Sequence, residues 1–187
     1  MKKTLFILSC MALFWAASMA YAQDGSLKFD VSFQLAVLDM RGPIGEKPLG
    51  LGGRFGCRFS SLLHLDGEVM YFPENPSGNF GETLVLGGIR VGREFYAVGV
   101  FAKVRAGMIN FGGRDFNLRL SEKTHPAFDL GVILEYYASR HVFLRMDIGD
   151  CIIPFGGTPA PYQSIYGSKF LGTTHNFLAE FGIGFYF

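Results

Sequence analysis

Phe177-Leu178-Ala179-Glu180-Phe181-Gly182-Ile183-Gly184-Phe185-Tyr186-Phe187 closes the chain. The odd positions carry Phe, Ala, Phe, Ile, Phe and Phe; between them stand Leu, Glu, Gly, Gly and Tyr. Side chains of a strand alternate between its faces, so one face here is apolar throughout and the other holds a carboxylate and two glycines. A helix would scatter both sets around its axis. The segment therefore reads as a strand with two unlike faces, and the same reading repeats back along the chain.

Seven further stretches alternate in this way. The spacing predicts strands over about 28–38, 51–60, 63–72, 83–92, 96–109, 127–137 and 142–149, before the last one. Their apolar phases run, for example, Phe29, Val31, Phe33, Leu35 and Val37 in the first, and Val98, Val100, Ala102, Val104, Ala106 and Met108 in the fifth. No residue of any apolar phase is charged. The opposite phases hold Lys28, Arg54, Arg58, Arg90, Lys103, Arg105 and Arg145, with Asp30, Asp66, Glu68, Asp129, Glu135, Asp147 and Glu180. Short links near Ser60-Ser61, 92–95 and 138–141 alternate with longer ones over 39–50, 73–82, 110–126 and 150–172. All eight prolines fall in links or at strand edges, as expected of a residue that cannot donate to a ladder.

Before the strands, Lys2 and Lys3 precede an apolar run from Leu5 to Met19, which ends in Ala20-Tyr21-Ala22. This is the pattern of a secretory signal peptide, residues 1–22, cleaved after Ala22. Its loss removes Trp15, the only tryptophan, and two lysines, so the remaining domain, residues 23–187, has a formal net charge of −1. The whole chain carries +1, is 49% hydrophobic and has 18% charged residues, which excludes both a disordered chain and a basic nucleic-acid binder. Beyond the signal no apolar run reaches the length of a spanning helix.

An alternating barrel can turn its apolar face inward, in water, or outward, in lipid. The outward choice is favoured by strands of about 10 residues, which span a bilayer when tilted. The alternation of short and long links favours it too. So does glycine on the charged face (Gly52, Gly56, Gly88, Gly107, Gly131, Gly182), which makes room in a crowded interior. The expectation is an all-β, eight-stranded antiparallel up-and-down transmembrane β-barrel with both termini in the periplasm.

Phe181, Ile183, Phe185 and Phe187 resemble the C-terminal assembly signal of Gram-negative outer-membrane proteins. Val100–Gly107 and Phe143–Asp150 resemble motifs of the outer-membrane β-barrel domain family of OmpA/OmpX-like, small porin-like proteins. The resemblance spans the mature chain. It implies location in the outer membrane among lipid and lipopolysaccharide, and insertion by the outer-membrane assembly machinery with periplasmic chaperones. It does not choose a function, because this fold hosts anchors, adhesins, channels and enzymes.

The charged phase of an eight-stranded barrel must fill its lumen. Asp66, Glu68, Arg90, Lys103, Arg105, Glu135, Arg145, Asp147 and Glu180 are expected to form a self-neutralising plug, with Arg90 as the bridge between the acidic pair of the third strand and the basic pair of the fifth. His64 is expected in the lumen near the periplasmic rim. Cys151 is expected at the start of the last loop, Cys57 on the lipid face, and no disulfide between them. No histidine stands in a His-x-Ser arrangement, and no Cys/His spacing suits a metal. Neither a cofactor nor a nucleic-acid partner is expected. Phe155, Tyr162, Tyr166 and Phe170 in the last loop form a candidate contact surface for a partner the sequence does not name; the alternatives are that they fold over the barrel mouth or rest at the lipid interface. The resulting expectation is a non-enzymatic structural or surface-interaction barrel. The alternatives are a narrow channel for small or apolar solutes and, less favoured, a lipid-modifying enzyme.

Overall fold

Eight alternating stretches become eight strands: β1 (Phe29–Asp39), β2 (Leu49–Arg58), β3 (Leu63–Phe72), β4 (Glu82–Glu94), β5 (Val98–Phe111), β6 (Thr124–Tyr137), β7 (Val142–Pro154) and β8 (Thr173–Tyr186). They are seen in a computed structural model that describes residues 29–41, 47–73, 81–112, 124–156 and 172–187. The expected signal peptide, Lys28, and Tyr162, Tyr166 and Phe170 lie outside the described residues. Each strand pairs antiparallel with the next, and β8 returns to β1, so no sheet edge is left open.

The register fixes the barrel's dimensions. From Phe29 it passes through Cys57, Leu65, Ile89, Val104, Leu130, Asp150 and Phe177, and returns to β1 at Asp39, ten residues further along. With ordinary strand spacing and rise, this stagger on eight strands gives a tilt of about 40° and a backbone radius of about 8 Å. Such a lumen has space for side chains and little else. Some of the wall is too tight for any side chain: a Cβ at Gly88 would lie 2.6 Å from Arg105 Cα, and one at Gly131 would lie 2.6 Å from Gly149 Cα.

The outward phase is apolar and exposed along every strand, with Phe33 54%, Val69 51%, Val104 55%, Val132 50% and Phe181 57% accessible. That surface in water would be a vast exposed patch. In a bilayer it is the lipid-facing wall of a transmembrane barrel. Among the described residues no helix is long and apolar enough to cross a membrane. At the end that carries both termini, two short links are pinned by serine. Ser60 Oγ accepts from Leu62 N (3.3 Å) and Leu63 N (3.0 Å), and Ser139 Oγ accepts from His141 N (3.3 Å) and Val142 N (3.1 Å). These side chains satisfy backbone donors in a turn too short to satisfy its own.

Two boundaries depart most from the sequence reading. β7 runs on to Pro154 instead of stopping at Gly149, so Cys151 is buried inside the barrel and does not begin the loop. It remains free, as does Cys57. β6 starts at Thr124 and contains Pro126. Pro126 pairs with Met108 of β5, but the β6–β7 ladder begins only at Phe128 and Ile152. The proline thus sits where its strand has one partner and no donor is missed.

Candidate functional site

The lumen has two storeys. Toward the termini, β3, β4, β5, β6 and β7 turn His64, Asp66, Arg90, Lys103, Glu135 and Arg145 inward, all buried. Toward the long links the same strands turn in Met70, Phe72, Leu84, Leu86, Ile109, Phe111, Ala127 and Ile153, joined by Leu38 of β1 and Leu178 of β8. Glu82, His125 and Asn176 are buried at this end as well. The sequence reading named only the charged residues and glycines of the inward phase. The largely apolar upper storey follows from the same alternation, because the inward phase of each strand changes character along its length.

The charged storey divides into two groups. In the group nearer the termini, Arg90 Nη2 donates to Asp30 Oδ2 at 2.5 Å and Nη1 donates to Glu135, while Nε faces Asp66 at 3.5 Å. Arg145 Nε donates to Glu135 Oε1 at 2.8 Å. The other oxygen of Glu135 accepts from the hydroxyls of Tyr137 (3.0 Å) and Tyr186 (2.8 Å). The two guanidiniums lie over aromatic faces, Arg90 5.1 Å from the Phe101 centroid and Arg145 5.0 Å from that of Phe143. His64 packs edge-on against Phe101, in the lumen at the start of β3.

The second group centres on Arg54. It donates to Glu68 (Nε–Oε2 2.7 Å), Asp147 (2.7 Å) and Glu180 (2.6 Å). Arg105 donates to Glu68 (2.6 Å) and Asp129 (2.7 Å), and Lys103 reaches Asp129 (2.7 Å) and Asp147. All nine residues expected in the plug are thus brought together inside. Arg54, Asp30 and Asp129 belong with them as well. Their signal was in the sequence, since all three share the charged phase, but only the register shows which acid each base meets.

Two expectations about this network are refined. Arg90 reaches one acid of the β3 pair, Asp66, at 3.5 Å, but its closer partners are Asp30 and Glu135, and Arg54 takes Glu68. The acids and bases are also unequal in number: Arg58 pairs with Glu94 near the rim, which leaves seven acidic side chains (Asp30, Asp66, Glu68, Asp129, Glu135, Asp147, Glu180) with five bases (Arg54, Arg90, Lys103, Arg105, Arg145) in the two groups.

The two ends of the lumen differ among the described residues. A cavity of about 770 Å³ opens at the end bearing the termini, with Arg58, Arg140 and His141 at its sides, and reaches Tyr137 and Tyr186. At the other end Phe155 lies 4.6 Å from the His125 ring and 5.8 Å from that of Phe111, and is 3% exposed. It caps the apolar storey, so of the alternatives the sequence left open it folds over the barrel mouth and does not belong to an exposed contact surface. Phe181, Ile183, Phe185 and Phe187 all face outward and are exposed. His175, on β8, meets Asp150 of β7, with Nδ1 2.7 Å from Oδ2. Among the described residues, no three of His, Cys, Asp and Glu are grouped to hold a metal ion.

No family model matches the chain, and no curated protein matches it. Solved structures do. Neisserial surface protein A (NspA) matches with a TM-score of 0.51 at 14% identity, over 86% of this chain and 95% of that one. The outer membrane protein OprG from Pseudomonas aeruginosa matches with a TM-score of 0.51 at 10% identity, over 87% and 96%. Ail, the attachment invasion locus protein of Yersinia pestis, matches with a TM-score of 0.50 at 13% identity, over 87% and 99%. At such identities the likeness is one of fold: this chain has the eight-stranded barrel architecture of small outer-membrane proteins.

Proposed function

We propose that the protein is an integral outer-membrane barrel with a non-enzymatic structural or surface-interaction role, its lumen closed to solutes. The observation that carries this reading is the filled interior. Ion-paired charges occupy the half nearer the termini, and a largely apolar storey, with Glu82, His125 and Asn176 buried in it, occupies the other. An ion entering from the periplasm would have to displace ion pairs and then pass between mostly apolar side chains. Activity then resides on the outside of the barrel and its long links. Export through a signal peptide cleaved after Ala22, chaperoning across the periplasm and insertion by the outer-membrane assembly machinery belong to the same proposal. Planar-bilayer recording of the refolded mature chain tests it: we expect no sustained unitary conductance, and a stable open level of porin size overturns the closed lumen.

A second reading, a narrow channel, is favoured by one observation. The two-carboxylate excess in the plug would attract cations and repel anions. Any conductance that did appear should therefore be cation-selective, read as a shift of reversal potential in a salt gradient.

A further inference from the structure

One row of the lumen is almost entirely basic. Arg58 on β2 pairs in register with His64 on β3, His64 with Arg90 on β4, and Arg90 with Lys103 on β5. All four belong to the inward phases of their strands. Three cations and one imidazole thus stand side by side, and like charges directly opposite on adjacent strands repel. Each cation has its own acid. Arg58 meets Glu94, Arg90 meets Asp30 (2.5 Å) and Glu135, and Lys103 meets Asp129 (2.7 Å) and Asp147. His64 differs: neither of its ring nitrogens has a hydrogen-bond partner among the described residues.

The ring of His64 is fully buried and packs edge-on against Phe101, 5.1 Å between centroids. The same Phe101 ring carries the Arg90 guanidinium on its face. His64 therefore serves here as an aromatic side chain. An imidazolium in its place would be a dry ion with no acceptor and a guanidinium on either side. Two carboxylates could offset that charge, Asp66 two residues along β3 and Asp30 on β1, but both face Arg90, at 3.5 and 2.5 Å. Glu94 on β4 faces Arg58, and β5 presents Phe101 and Lys103. Burial and the flanking cations outweigh acids that are already engaged. The row is open to solution at its first member, because Arg58 and Glu94 line the cavity at the end bearing the termini, with side chains 17% and 27% exposed.

We propose that His64 is an acid-operated latch at the end of the plug nearest the termini. Neutral, it packs on Phe101 and lets the basic row stand. Protonated, it adds a fourth adjacent cation, drives Arg58 and Glu94 toward the cavity, and loosens that end of the lumen. His141 is exposed, and His175 is exposed with Asp150 as its partner, so a proton on either adds no buried charge. The unfolded chain accepts a proton at His64 that the packed row resists. Stability is therefore present at neutral pH and is lost as the pH falls through the ordinary histidine range, about 6.5. The latch goes beyond the closed lumen and does not depend on it: sustained conductance at neutral pH would sink the closed lumen and leave the latch intact.

The test is urea unfolding of the refolded mature chain in phosphatidylcholine vesicles, at about pH 7.5 and at about pH 5, on either side of the histidine range. The folding equilibrium constant of the wild type should fall at least about tenfold more over this interval than that of His64→Phe, which keeps a ring on Phe101 and cannot titrate. His64→Gln should behave as His64→Phe does. The carboxylates are common to all three chains, so the difference belongs to His64. Hydrogen exchange, corrected for the intrinsic effect of pH, locates the change. Amides at the start of β3 and the end of β4 should lose protection in the acidified wild type and keep it in His64→Phe. Should His64→Phe fail to fold, His64→Gln supplies both comparisons. An equal loss of stability in wild type and variant overturns the latch. A wild-type constant that holds or rises on acidification overturns it without reference to any variant.

Discussion

Arg54 gathers three carboxylates, Glu68, Asp147 and Glu180, around one guanidinium with no side-chain exposure. A buried ion pair is weak evidence for net stability, but removing one partner leaves the others charged and dry. Arg54→Ala should therefore cost about 3–5 kcal/mol in urea unfolding from lipid vesicles. Lys47 makes a comparable contact with Asp39 at 2.9 Å, yet its side chain is 68% exposed. Lys47→Ala should cost less than about 1 kcal/mol in the same measurement. The sequence revealed that Arg54 faces inward and Lys47 lies in a link. It did not reveal Arg54's partners, because Asp147 and Glu180 are 93 and 126 residues away and meet it across the lumen.

At the scale of the strand, β4 shows two kinds of glycine on opposite faces. Inward Gly88 lies against the backbone of β5, and outward Gly87 faces open space. Gly88→Val should destabilise by at least about 1–3 kcal/mol, since backbone cannot step aside as a side chain can. Gly67→Ala on β3 should be neutral or stabilising; equal losses at both positions would contradict the packing described. β8 closes the barrel onto β1, and Phe187 N donates to Phe29 O at 2.9 Å as the seam's last bond. Deleting Phe187 removes this bond and the terminal ring, and should lower the amount of heat-modifiable barrel recovered from outer-membrane fractions. Most strand bodies were legible as alternation, but the ends of β6 and β7 were not. Asp150-Cys151-Ile152-Ile153-Pro154 reads as loop because it holds a charge, a cysteine and a proline, whereas pairing with β8 continues through all five residues.

For the whole molecule, the proposed closed lumen makes Cys151 a probe. It has no exposure and lies where the charged and apolar storeys meet, beside Asp129 in register. A water-soluble maleimide should leave Cys151 unmodified over a time in which the urea-unfolded chain is fully labelled; rapid labelling of the folded protein would reveal a water path. The order of residues alone was enough for the eight strands, for the apolar phase of each and for the transmembrane barrel they build. These follow from a period of two, a local property readable along one strand at a time. The pairing of acids with bases, the division of the lumen into a charged and an apolar half, and the burial of Phe155 as its cap emerge only in three dimensions. Each of these depends on the stagger of ten residues around the barrel, which sets the height of every residue against those of strands far away in the chain, and a pattern within one strand carries no record of it.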